Sequence, residues 1–183
     1  MFRRLGAWNS FKVTDNIRSQ PSMRNFLSRG LAAESYPQSM RIVQVPLGER
    51  CYEIRIGTGL LPQLGPSCQK LGLGKRCAVI SDSKVAPRYA GSSLESLADA
   101  GFDPVLITVP SGESSKNLRQ IEAIYDLLAA HRIERKSFVV ALGGGVVGDI
   151  TGFVAATYLR GLAFVQVPTT LLEIGRASCR ERV

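Results

Sequence analysis

Residues 137–172, SFVVALGGGVVGDITGFVAATYLRGLAFVQVPTTLL, constrain the fold more than any other stretch of this 183-residue chain. Ser137–Leu142 is a short run of β-branched and aromatic residues, the composition of a buried strand. Gly143, Gly144 and Gly145 follow without interruption, and Gly148 comes three residues later. Apolar spacing predicts a helix from Val146 to Leu159, with Asp149 in its first turn, where a helix N-terminus favours a carboxylate. Gly161 ends that helix, and Leu162–Val167 reads as a second strand running into the Pro168-Thr169-Thr170 turn.

A glycine turn between strand and helix suits a phosphate-bearing ligand. Glycines permit positive φ and carry no Cβ, so backbone N–H groups can approach an anion that the helix dipole also attracts. Gly143, Gly145 and Gly148 match G-x-G-x-x-G in the required context. The acidic ribose ligand expected about twenty residues on is absent, since Pro168, Thr169 and Thr170 stand there. The alternative is a tight turn that only lets helix and strand pack closely.

The ordered body begins near Arg41. Arg41–Val45 and Cys51–Gly57 read as a hairpin around Pro46-Leu47-Gly48. Helices are predicted over Leu60–Leu71, Val85–Ala100 and Lys116–His131, and strands over Arg76–Ser81 and Phe102–Val109. Strands alternating with helices imply an α/β fold whose parallel sheet is covered on both faces. Asp82 stands at a strand's carboxyl end, where such sheets bind ligands; it could accept ribose hydroxyls or cap the next helix. In the loop Ser111–Lys116, Gly112 permits the turn, Glu113 could bind a hydroxyl and Lys116 a phosphate, or the loop is simply solvated.

Half of the net charge of +8 lies in the first 40 residues, where six Lys and Arg face only Asp15 and Glu34. The rest is near balance, so the basic pI is poor evidence for nucleic-acid binding. Residues 1–38 mix arginines and serines, are nearly acid-free and lack a long apolar core, the profile of an organellar transit peptide or a disordered basic tail. The longest apolar run, Phe138–Gly148, is too short to cross a membrane. Cys51, Cys68, Cys77 and Cys179 have no metal-binding spacing and read as buried or incidental thiols. His131, the only histidine, falls where a helix should end.

Together, SGExxK at Ser111–Lys116, LGGGVVGD at Leu142–Asp149, YLRG at Tyr158–Gly161 and VPTTLL at Val167–Leu172 resemble the 3-dehydroquinate synthase family in order and spacing. The resemblance covers about residues 41–172. Related sugar-phosphate cyclases, and more loosely iron-dependent alcohol and glycerol dehydrogenases, share the fold and parts of these motifs. It implies a Rossmann-like nucleotide-binding domain over 39–172 and an NAD-using enzyme that needs a divalent metal, usually zinc. The implied reaction converts 3-deoxy-D-arabino-heptulosonate 7-phosphate to 3-dehydroquinate and phosphate. By the same resemblance, Asp82 is the adenosine-ribose ligand, with Gly112, Glu113 and Lys116 at the nucleotide. Gly144, Gly145, Val146 and the turn through Gly148 form the pyrophosphate cradle. Asp149, Thr169 and Thr170 lie near the nicotinamide half. Arg160 reaches the substrate phosphate of a neighbouring subunit, which implies a homodimer. The leader then points to a chloroplast.

The family pattern stops at Leu172. Its members continue with a helical domain that supplies one Glu and two His to the metal, whereas residues 173–183 here read EIGRASCRERV. This tail resembles the in-frame translation of a sequencing-library adapter; a genuine alternative tail is the other reading. With one histidine and scattered cysteines the chain cannot supply those ligands, so as written it is expected to be catalytically inactive.

Overall fold

The computed structural model describes residues 12–14, 41–45 and 52–170, and within them seven strands form one sheet. In chain order these are β1 (Lys12–Thr14), β2 (Arg41–Val45), β3 (Tyr52–Ile56), β4 (Arg76–Asp82), β5 (Asp103–Val109), β6 (Phe138–Gly143) and β7 (Ala163–Pro168). The α-helices are α1 (Leu64–Lys70), α2 (Ala86–Asp99), α3 (Leu118–Ala130) and α4 (Gly145–Thr157). The strand order is β2-β3-β1-β7-β6-β4-β5. The β2–β3 pair is the expected hairpin, antiparallel from Arg41↔Ile56 to Val45↔Tyr52, and the other pairings are parallel.

The central strands are apolar on both faces because helices cover both. Phe138, Val140 and Leu142 of β6 pack with Cys77, Val79, Leu64, Ala90 and Leu97, under α1 and α2. Val139 and Ala141 point the other way, to Ile124 and Leu128 of α3 and to Val147, Ile150 and Val154 of α4. This two-sided burial makes a parallel strand read as a continuous apolar run rather than an alternating one. Cys68 and Cys77 are buried free thiols, each pushed up to about 12 chiefly by desolvation. Cys51 and Cys179 lie outside the described residues.

Helix ends follow side-chain chemistry. Asn117 caps α3, its Oδ1 accepting the Gln120 N–H at 2.9 Å, and His131 is the residue that closes it. The helix predicted from Lys116 therefore begins two residues later. Gly65 of α1 lies against α2 so closely that an added Cβ would stand 1.9 Å from the Ser96 carbonyl oxygen.

Of residues 1–38, only 12–14 lie among the described residues. Within the stretch expected to be disordered, Lys12–Thr14 forms β1, paired in parallel with β3 over three residues and with β7 at Lys12↔Gln166. The inner edges of β3 and β7 would otherwise carry unpaired N–H and C=O groups, and a short extended segment satisfies some of them.

Candidate functional site

Because β4 to β7 run parallel, their carboxyl ends share one edge, in the aligned pairs Asp82↔Val109, Ser81↔Leu142 and Gly143↔Pro168. The connection from β4 to β5 passes through α2 on one face, while that from β6 to β7 passes through α4 on the other. The adjacent pair β4–β6 is thus a topological switch point, where open α/β sheets leave a crevice for ligands.

The glycine turn sits at this crevice, but not for the backbone reason the sequence suggests. Gly143, Gly144 and Gly145 are absent from the glycines with positive φ, and Gly144 is extended at φ −86° and ψ −167°. Lack of a side chain is what matters. A Cβ on Gly143 would stand 2.7 Å from Val147 Cγ2, and one on Gly144 would stand 3.1 Å from Thr170 Cγ2. No side chain caps α4, so the amides of Gly145, Val146 and Val147 open its N-terminus without intrahelical acceptors. Gly144, Gly145 and Val146 are half-buried, and Gly148 is buried within the second turn, where its N–H donates to the Gly144 carbonyl at 3.0 Å. The Thr169 N–H donates to the Gly143 carbonyl at 2.9 Å, the regular parallel-ladder bond of the Gly143↔Pro168 pair, and brings the Thr169-Thr170 pair beside the turn.

The structure gathers Glu113, Lys116 and Asp149 into one cluster. Lys116 Nζ lies 2.7 Å from Glu113 Oε1 and 2.9 Å from Asp149 Oδ2. Asp149 belongs to the second turn of α4, not the first, and pairs with Lys116. The Glu113 hydrogen bond, then the Asp149 one, hold the Lys116 ammonium above its ordinary 10.5. Two carboxylates around one ammonium leave a net charge of about −1. Such a group presents carboxylate acceptors suited to ligand hydroxyls beside the ammonium. Gly112, at φ +112°, is where this loop needs glycine, and buried Ser115 ties it down by donating to the Pro110 carbonyl at 2.6 Å.

Asp82 closes β4 at this edge. Its Oδ1 accepts the N–H groups of Lys84 and Val85 at 2.8 and 3.0 Å, organising the entry to α2. Arg160 is exposed in a short turn, Tyr158–Arg160, where Leu159 (φ 48°), Arg160 (φ 70°) and Gly161 (φ 120°) are consecutively left-handed. Among the described residues no three His, Cys, Asp or Glu side chains group to hold a metal. Nor is any described helix long and apolar enough to cross a membrane. An open cavity of about 240 Å³ adjoins the ion cluster, lined by Lys116, Asn117, Leu118, Ile121, Asp149, Ile150 and Phe153.

Sequence reasoning passed over Ser81. Fully buried in β4, its hydroxyl donates to the Leu142 carbonyl at 2.7 Å, one residue before the glycine turn. A lone hydroxyl in the apolar run Cys77–Ile80 was the available signal.

Residues 106–180 match the family model described as 3-dehydroquinate synthase N-terminal. The 3-dehydroquinate synthase of Geobacter metallireducens is 53% identical over 133 residues, 73% of this chain and 37% of that protein. The chain therefore spans little more than a third of the length of such relatives. Among solved structures, a 2-deoxy-scyllo-inosose synthase complexed with carbaglucose-6-phosphate, NAD+ and Co2+ superposes with a TM-score of 0.66 at 25% identity, over 73% of this chain and 36% of that one. A 2-epi-5-epi-valiolone synthase from Streptomyces hygroscopicus with NAD+ and Zn2+ bound gives 0.53 at 29% identity, over 60% and 31%. By both sequence and α/β fold, this chain is similar to the N-terminal region of 3-dehydroquinate synthases.

Proposed function

We propose that this chain is the cofactor-binding part of a 3-dehydroquinate synthase, which converts 3-deoxy-D-arabino-heptulosonate 7-phosphate to 3-dehydroquinate and phosphate. The observation that carries the reading is the uncapped, glycine-bare N-terminus of α4 at the β4–β6 switch point, with Thr170 and the Glu113–Lys116–Asp149 cluster on the same sheet edge. NAD, the cofactor named for both structural neighbours, fits that cradle because a Cβ at Gly144 would crowd it. When bound it supplies hydride acceptance and return. The amides of Gly144, Gly145 and Val146 hold its diphosphate, and Gly148 lets the second turn pack against the sheet. Asp82 and Glu113 accept ribose hydroxyls, Gly112 sets the loop that carries Glu113, and Lys116 draws Asp149 and Glu113 together at the nucleotide. Thr169 and Thr170 close the nicotinamide side. Among the described residues no group of side chains fits a metal.

Identity favours this synthase over the related cyclases: 53% against 25% and 29%. Arg160 is proposed to reach a substrate phosphate across a homodimer, a task suited to its bidentate fork. A plant-type precursor is proposed from the arginine- and serine-rich, acid-poor leader, with a plastid destination. Fusion of residues 1–38 to a fluorescent protein should deliver it to plastids, and a diffuse cytosolic signal would end that assignment.

Titration calorimetry of NAD+ into residues 1–183 should give saturable binding displaced by ADP-ribose. Absence of binding would overturn the cofactor reading. Residues 1–183 alone are expected to release no phosphate from the heptulosonate. The product of the longest reading frame of the gene should release it, and failure there would defeat the assigned reaction.

A further inference from the structure

We propose that Ser81 is a positioning residue for the diphosphate cradle, acting through the Leu142 carbonyl. The inference rests on the cofactor reading above and concerns how the cradle keeps its shape. Three glycines in a row have more conformational freedom than any other sequence, so the turn's form must be imposed from outside. In each trans peptide the C=O and the following N–H point in opposite directions across one plane, so anchoring a carbonyl also aims the next amide. The carbonyls of Leu142, Gly143 and Gly144 are anchored in succession. Ser81 Oγ donates to the first at 2.7 Å, the Thr169 N–H to the second at 2.9 Å, and the Gly148 N–H to the third at 3.0 Å. Those three peptide planes carry the amide of Gly143, the last residue of β6 that leads into the cradle, and the amides of Gly144 and Gly145 that belong to it. Of the three anchors, only Ser81 contributes a side chain.

The location fits the role. Ser81 is fully buried and directly opposite Leu142 in the β4–β6 register, at the switch point itself. Its neighbour Asp82 holds the turn into α2. One hydroxyl thus fastens the strand end bearing Asp82 to the strand end bearing the glycine turn. Preorganised amides bind an anion without first being ordered, so loosening the first plane weakens binding while the sheet persists.

Three variants separate the hydroxyl from the space it fills: Ser81→Ala removes the donor, Ser81→Cys keeps volume with a weak donor, and Ser81→Thr keeps the donor. NAD+ is titrated into each 183-residue chain, and the ¹H–¹⁵N resonances of Gly143–Gly145 are compared without ligand. Ala and Cys should each weaken NAD+ binding about five-fold and move those three resonances, leaving Ile107 on β5 in place. Thr should bind within about two-fold of the parent. Should Ala fail to fold, Cys carries the test. Unchanged affinity in the donor-free variants overturns the proposal, as does a Thr variant as weak as Ala. If the parent chain binds no NAD+, the cofactor reading fails by itself. The glycine resonances then decide whether Ser81 shapes the turn, and unmoved ones overturn that too.

Discussion

At Gly144 the backbone is extended and open to any L-residue, and an added Cβ would stand 3.1 Å from Thr170 Cγ2, a side-chain contact that a shift of a few tenths of an ångström relieves. Gly144→Val should reduce NAD+ affinity at least about ten-fold, since a branched side chain would fill the approach to the α4 amides, with little change in Tm. Calorimetric titration beside a melting curve checks both halves. Thr151, fully buried in α4, carries the orphaned hydroxyl among the described residues: its Oγ1 has no hydrogen-bond partner. Thr151→Val replaces that hydroxyl with a methyl of similar shape and should stabilise the chain by about 1 kcal/mol. A lowered Tm would mean the hydroxyl has a partner in the folded protein. The glycine spacing was legible in the sequence, but the approach of Thr170 to Gly144 was not, because a contact with a residue beyond β7 leaves no local trace.

Among the elements, α4 joins strand, turn and loop. Its start after the glycines was readable, since an apolar run at helical spacing following strand and glycine has few other solutions. Asp149 was placed one turn too early, because helix boundaries drift by a residue or two and the dipole argument depends on them. Its bridge to Lys116 ties α4 to the loop before α3. Lys116 and Asp149 side chains are 26% and 30% exposed and Glu113 is 74% exposed, so solvent screens the cluster. Lys116→Gln should therefore cost only about 0.5–1 kcal/mol at neutral pH. The folded-state value of Lys116 is raised above 10.5, so its contribution is complete below that pH and is lost as pH rises through the higher folded value. Melting curves of parent and variant should converge as pH is raised beyond 10.5, and a constant gap would assign the effect to packing.

For the whole molecule, alternating strands and helices announced a parallel sheet, and both faces are indeed covered. Strand order could not be read, because β5 and β6 flank β4 through connections whose sequences do not encode a side. The greatest departure is β1, drawn from a leader that composition marks as an address. Deleting residues 1–38 should raise hydrogen exchange in β3 while leaving β4 and β5 protected. Equal protection of β3 in both forms would show that β1 contributes nothing to holding the hairpin.

The amino-acid order alone determined what acts over short range: apolar runs that must be buried, a glycine turn between strand and helix, and a basic, acid-poor first 40 residues. It also carried the motif set whose similarity extends to the 3-dehydroquinate synthases. Tertiary structure alone decided which distant groups meet. Lys116 finds Asp149, Thr170 covers Gly144 and Ser81 grips Leu142 only because parallel strands bring their carboxyl ends to one edge. Such meetings depend on crossover connections and close packing, which no local window of sequence contains.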